Sequence, residues 1–284
     1  MKWANLVVKG RPHAGLVVGD KVHLHEAGDV KDVLADLGAA ADIAMAGETA
    51  MLSDVRLCQP ILRPGKILGI GVNYAAHAKE SVSFIKSTPA SVQKWFNKQA
   101  TAANGPYDPV HLPIVSEQLD YEAELVAIIG KTGRHVPEER ALEMIAGYCC
   151  GCDVSVRDWQ RASQTMIMGK GFDTHAPFGP YLVTPDEIDD FDALNVRGYV
   201  NGELRQSGQP RDMVFSLSQQ IAHLTKAFTL EPGDVIFTGT PAGVGAGFDP
   251  PKWLKAGDRV RVEIDGLGHI ENEIEREPER LVLK

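Results

Sequence analysis

Two short runs of this chain carry side chains able to do chemistry. Asp120-Tyr-Glu-Ala-Glu-Leu-Val-Ala-Ile-Ile-Gly130 sets Glu122 and Glu124 two residues apart, just ahead of an apolar, partly β-branched stretch closed by glycine. That is the pattern of a strand entering a core. Side chains at i and i+2 of a strand share a face, so two carboxylates aim at one point on the rim of an apolar region. Held that close, both stay ionised only with a positive charge between them. A hard divalent cation with oxygen ligands is the natural one. Two solvated glutamates on an edge strand would show the same spacing, so the rest of the chain decides. The second run is Gly71-Val-Asn-Tyr-Ala-Ala-His77-Ala-Lys-Glu80, after a strand-like Ile67 to Ile70. Asn73 is placed to cap a short helix, on which His77 and Glu80, i and i+3, are neighbours. A carboxylate beside an imidazole orients the ring and supports the cation formed when it takes a proton.

The elements that must position these groups are strand-rich. Residues 1–63 read as a small module: a hairpin within Leu16–Leu24 about a Gly-Asp turn, then helical spacing from Val30 to about Met45. Pro60, Pro64 and Gly65 mark its end, and residues 64–284 read as the second part, which holds both runs. Pro137 to Gly147 has proline and acids in its first turn and glycine at its end, which predicts a helix. Val200-Asn-Gly-Glu-Leu204 carries a tight-hairpin signature, Asp234 to Thr240 predicts a strand feeding a glycine-rich loop, and the tail alternates through Val260, Val262 and Ile264. Strands outnumber helices and rarely alternate with them, which argues for an α+β fold and against a doubly wound parallel sheet.

Composition narrows the partners. The 284 residues are 44% hydrophobic and 24% charged, with a net charge of −9 and no long basic cluster; nucleic acid is not expected as a partner. No apolar segment reaches membrane-spanning length, and the first residues lack a signal-peptide core, so the expected compartment is cytoplasmic. Cys149-Cys-Gly-Cys152 matches C-x-x-C formally, but no second pair completes four soft ligands; these cysteines and Cys58 are expected to pack, reduced. Neither Gly69-Ile-Gly71-Val-Asn-Tyr74 nor Gly243-Val-Gly245-Ala-Gly247-Phe248 completes a dinucleotide-binding fingerprint, and neither ends in the Gly-Lys-Ser/Thr of a P-loop.

Taken in order, the motifs carry a resemblance. Gly71-x-Asn-Tyr-x-x-His77-x-x-Glu80 is followed by Asp120-Tyr-Glu-x-Glu-Leu125, then Ala146-Gly-Tyr…Asp153-Val-Ser-x-Arg157-Asp-x-Gln160. Gly169-Lys170-Gly-Phe-Asp-Thr174…Pro177-x-Gly-Pro180 and Asp234-Val-Ile-x-Thr-Gly-Thr240-Pro-Ala-Gly-Val-Gly245 complete the set. Together they resemble the fumarylacetoacetate hydrolase family over about residues 66–270, nearest its bacterial branch of diketo-deoxy-sugar-acid hydrolases and acylpyruvases. The resemblance implies a mixed β-sandwich roll with flanking helices, pairing as a homodimer. It implies metal ligation by Glu122, Glu124 and Asp153, with Mg2+ or Mn2+ favoured over zinc by an all-carboxylate set. It implies a water-activating dyad of His77 and Glu80 on a segment able to close as a lid, a substrate-contacting Lys170, and substrate or shell contacts from Arg157, Gln160 and Thr240.

The expected activity is metal-dependent cleavage of a carbon–carbon bond in a small anionic acylpyruvate or 2,4-diketo acid, giving pyruvate or a substituted pyruvate and a carboxylic acid. His77 would deprotonate the attacking water, and the cation and Lys170 would stabilise enolate charge. A decarboxylase or isomerase of an oxaloacetate-like acid would use the same enolate. A metal-dependent small-acid binding protein without turnover is the reading from another class.

Overall fold

Every residue of the strand Ala123–Ile129 is buried, and its side chains divide strictly between two cores. Leu125, Ala127 and Ile129 pack with Val196, Val262, Ile264, Ile270 and Ile274. Val126 and Ile128 pack on the opposite face with Trp3, Val33, Leu34, Phe178, Leu182 and Phe237. This period-two split is that of a strand central to a sheet covered on both sides, so the apolar run needs no alternation with polar residues. The computed structural model of the protein describes residues 1–85 and 91–279.

The larger sheet runs, edge to edge, through Thr49–Met51, Lys21–His25, Arg11–Val18, Lys2–Val8, Ala176–Val183, Ile145–Cys152, Ala123–Ile129, Val235–Phe237, Ile67–Gly71 and Lys94–Lys98. Its neighbours along this path are antiparallel except Val235–Phe237 beside Ile67–Gly71. A five-stranded sheet, ordered Glu203–Gly208, Val196–Val200, Arg259–Ile264, Gly268–Arg276 and Val110–Leu112, covers one of its faces. The fold is thus α+β and strand-rich, as expected. The strands of residues 1–63 continue the larger sheet: Lys2 and Trp3 pair with Val183 and Leu182.

Several local expectations differ in detail. The helical spacing after Val30 resolves into a 3-10 turn, Val30–Val33, and a helix, Leu37–Ala46. Asp36 restarts the chain there, accepting the Ala39 N–H at the new N-terminus. The helix expected over Pro137–Gly147 is a 3-10 segment, Glu138–Met144, and Ile145 already belongs to the strand Ile145–Cys152. Gly147 is therefore no helix stop: a Cβ there would lie 2.5 Å from the Leu182 side chain and 2.6 Å from the Val183 carbonyl, so glycine permits close strand approach. Asn73 does not cap the helix Ala75–Ile85. Its amide donates to the Phe215 and Thr238 carbonyls and its oxygen accepts the Phe215 N–H, tying the chain just ahead of that helix to two loops. The Asn201-Gly202 turn is as expected, with both residues at positive φ. All four cysteines are buried and unbridged. Among the described residues no helix is long and apolar enough to cross a membrane.

Candidate active site

Antiparallel register builds the acidic centre. Ala123 pairs with Cys152, so the next step along the ladder sets Asp153 beside Glu122, and the Asp153 N–H donates to the Glu122 carbonyl at 2.9 Å. A sequence separation of 31 residues, 153 − 122, thus collapses to one rung. Ligand oxygens of Glu122, Glu124 and Asp153 lie within 4.8 Å of one another, and all three residues are buried.

Three buried cations face this triad. Lys170, ending the short helix Ile167–Lys170, donates to Glu122 Oε2 at 2.8 Å and Asp153 Oδ2 at 2.6 Å, with its ammonium 4.9 Å from the centre of the Phe96 ring. Lys98, at the end of the strand Lys94–Lys98, donates to Asp153 Oδ1 and the Val154 carbonyl. Arg157 opens the helix Arg157–Ala162, where Gln160 is its i+3 neighbour. It donates through Nε to Asp120 Oδ2 at 2.8 Å and through one terminal nitrogen to Gln160 Oε1, and its other terminal nitrogen is 2.7 Å from Glu122 Oε1.

The charges do not balance, and the imbalance has an address. Four buried carboxylates (Asp120, Glu122, Glu124 and Asp153) face the three cations. Burial opposes ionisation of Glu122, but Lys170, Arg157 and His77 outweigh it and hold this carboxyl well below the usual range. Glu124 is pushed well above its ordinary value by burial and by the charges of Asp153 and Glu122. The hydrogen bond it receives, from the Gly239 N–H at 2.8 Å, does not offset them. A divalent cation held by the triad would supply the missing charge and turn a deficit of one into an excess of one. The all-oxygen donor set suits Mg2+ or Mn2+.

The His77–Glu80 pair stands against this centre. On the helix Ala75–Ile85, His77 Nδ1 is 2.9 Å from Glu80 Oε2, and the other Glu80 oxygen accepts the Gly243 N–H at 3.0 Å. His77 is buried. Since an ionised carboxylate only accepts, it fixes the ring proton of neutral His77 on Nδ1 and makes Nε2 the basic nitrogen. Gly247 permits this docking, because a Cβ there would meet Glu80 Oε1 at 2.1 Å.

A cavity of about 60 Å3 is lined by His77, Glu122, Gln160, Lys170 and Thr240 on its polar side and by Ile70, Val72, Phe96 and Met166 on its apolar side, with Lys94 at its wall. Five predicted site residues thus line one cavity, and Glu80, Arg157, Asp153 and Glu124 stand behind them, beside His77, Glu122, Lys170 and Glu122 respectively. Thr240 is engaged already, its hydroxyl donating to the Ala123 carbonyl at 2.8 Å and accepting from Gln206 at 2.7 Å. It offers a ligand a lone pair rather than a proton. Three residues went unassigned in the sequence: Lys98, Asp120 and Lys94. Asp120 lies inside a quoted motif and Lys98 does not, and only the fold shows what either holds. The expected lid runs on past Ile85 into residues 86–90, which lie outside the described residues.

Residues 66–275 match the family model described as fumarylacetoacetate (FAA) hydrolase C-terminal. The chain belongs to the fumarylacetoacetate hydrolase family. It is 45% identical, over 224 residues, to the mitochondrial oxaloacetate tautomerase fahd2 of Xenopus laevis, covering 78% of this chain and 69% of that one. Its fold is similar to a fumarylacetoacetate hydrolase of Exiguobacterium antarcticum, with a TM-score of 0.85 and 36% identity over 98% of this chain and 100% of that one. A second similar structure is the maleylpyruvate hydrolase of Sphingobium in complex with manganese(II) and pyruvate, with a TM-score of 0.81 and 31% identity, again over 98% and 100%. Fumarylacetoacetate hydrolase relatives of this chain thus include hydrolases, tautomerases and isomerases, and family membership alone does not choose among their reactions.

Proposed function

We propose that this protein is a divalent-metal-dependent enzyme that moves a proton at C3 of a small anionic 2-oxo acid, and that its substrate is an oxaloacetate-sized diacid undergoing keto–enol conversion. The observation that carries this reading is that His77, held by Glu80, and Glu122 of the charge-deficient triad line one small cavity. Lys94 makes no ion pair or side-chain hydrogen bond among the described residues, and a second carboxylate would find its counter-charge there. The 45% identity to an oxaloacetate tautomerase supports the same choice.

Glu122, Glu124 and Asp153 would hold the cation, which when bound supplies Lewis-acid stabilisation of negative charge on the 2-oxo oxygen. Lys170 and Arg157 keep Glu122 ionised and oriented. His77 Nε2 takes the C3 proton and delivers it to the 2-oxo oxygen to give the enol, the reverse transfer giving the keto form, while Glu80 fixes the ring and supports its cationic form. The apolar wall of Ile70, Val72, Phe96 and Met166 keeps bulk water from the developing charge.

Hydrolysis of a short acylpyruvate, the activity expected from the sequence, is the second reading. The dyad favours it, since the same His77 could deprotonate a water instead of a carbon acid. Homodimer formation is proposed on the same family grounds. Loss of enol oxaloacetate and cleavage of acetylpyruvate, each assayed on manganese-loaded protein, separate the readings. Faster ketonisation without carboxylic acid release supports the first, stoichiometric acetate and pyruvate support the second, and neither activity would refute both.

A further inference from the structure

Asp120 belongs to neither the metal set nor the dyad, yet it is fully buried and touches the supports of both. Oδ1 accepts the N–H groups of Tyr121 at 2.9 Å and Gly245 at 2.7 Å. Oδ2 accepts the Ala246 N–H at 3.0 Å and Arg157 Nε at 2.8 Å. A carboxylate receiving four donors, one of them charged, is a strong and specific clasp. What it clasps is the glycine loop on which the lid helix rests. The Gly243 N–H holds Glu80, and bare Gly247 leaves room for that carboxylate. Through Arg157 the same clasp reaches Glu122 of the triad.

We propose that Asp120 is a positioning residue that locks the loop at 243–247 in the shape on which Glu80 docks, and so registers the proton-transfer pair against the metal centre. The inference rests on the reading of His77–Glu80 as that pair. The path runs from Asp120 to the loop backbone, from the loop to Glu80, and from Glu80 to the His77 ring. A displacement of about 1 Å along it is enough to cost on the order of 100-fold in turnover.

The test is Asp120→Asn, an isosteric change that turns an acceptor into a donor facing the Ala246 and Arg157 N–H groups, combined with Gly247→Ala, which crowds Glu80 from the other side of the contact. Each single variant should lower kcat by about 10- to 100-fold while KM and the manganese Kd stay within about threefold. Each should also speed amide hydrogen exchange in the helix Ala75–Ile85. Because both act on one contact, the double variant should be little worse than the poorer single one. Should Asp120→Asn not fold, Gly245→Ala breaks the clasp from the loop side, since its methyl would lie 2.6 Å from Asp120 Oδ1. Unchanged exchange in the lid helix, or losses in kcat that multiply, would overturn the proposal. The exchange readout needs no turnover, so it judges Asp120 even where His77→Ala shows that the dyad has another role.

Discussion

Neutralising either strand glutamate should change the stability of the metal-free protein, but with opposite signs. Glu122 is paired with Arg157 at 2.7 Å and Lys170 at 2.8 Å. Glu122→Gln leaves Arg157 with Asp120 and Lys170 with Asp153 but removes the second carboxylate of each, and should cost about 1.5–3 kcal/mol. Glu124 sits within 4.8 Å of two other carboxylates and is pushed well above its ordinary value by burial and by those neighbours. At an effective dielectric constant near 20, each such repulsion is worth about 3 kcal/mol when all are ionised, and shared screening by Lys170 reduces the net gain from Glu124→Gln to roughly 1–3 kcal/mol. The linkage has the same sense. A carboxyl raised on folding keeps its proton longer in the native state, so its contribution falls as pH rises from the unfolded pKa through the folded one. Glu124→Gln should flatten that fall and raise the metal-free Tm by a few degrees, at roughly 2–4 °C per kcal/mol. With manganese the order reverses, because both variants lose a ligand and should bind it at least about 100-fold more weakly, or about 2.7 kcal/mol. Calorimetric melting with and without manganese, after exhaustive chelation, reads all four states. A Glu124→Gln protein that melts lower without metal and gains as much from manganese as the parent would refute the assignment of the triad.

Three further outcomes follow from the site. His77→Ala should reduce turnover by about 100- to 10,000-fold with manganese affinity unchanged by titration calorimetry, and near-parental turnover would remove His77 from the mechanism. Lys98→Met removes the donor that orients Asp153 Oδ1 and should weaken manganese binding about 10- to 100-fold, the usual cost of losing a partner that orients a ligand; an unchanged Kd would make Lys98 a packing residue only. Lys94→Met should raise KM for an oxaloacetate-type diacid about tenfold while sparing a 2-oxo acid with one carboxylate, and equal effects on both acids would deny it a part in selectivity.

How much the sequence could tell depended on how local each relationship is. Glu122 with Glu124, and His77 with Glu80, are set by strand and helix periods, so their spacing was readable directly. Asp153 joined them only through family resemblance, and the ladder from Ala123–Cys152 supplies the physical reason. Lys98 and Asp120 escaped because a lone lysine and a lone aspartate acquire roles only when a distant strand or loop is brought to them. The Pro137–Gly147 segment misled because proline, first-turn acids and a terminal glycine suit a 3-10 turn as well as an α-helix. There the sheet's demand for Ile145 opposite Ile129 prevailed. The pairing of Lys2–Val8 with Ala176–Val183 spans most of the chain, and nothing in either segment alone announces the other.

The central claim is that a carboxylate-held divalent cation and His77 together move a proton on a small 2-oxo acid. Its most direct measurement follows enol oxaloacetate and acetylpyruvate with manganese-loaded protein, chelator-treated protein and the manganese-loaded His77→Ala variant. The account predicts conversion of at least one of the two acids well above the buffer rate, abolished by chelation, restored by manganese and lost in the variant. Conversion that persists through chelation or in the variant, or no conversion of either acid, would contradict it.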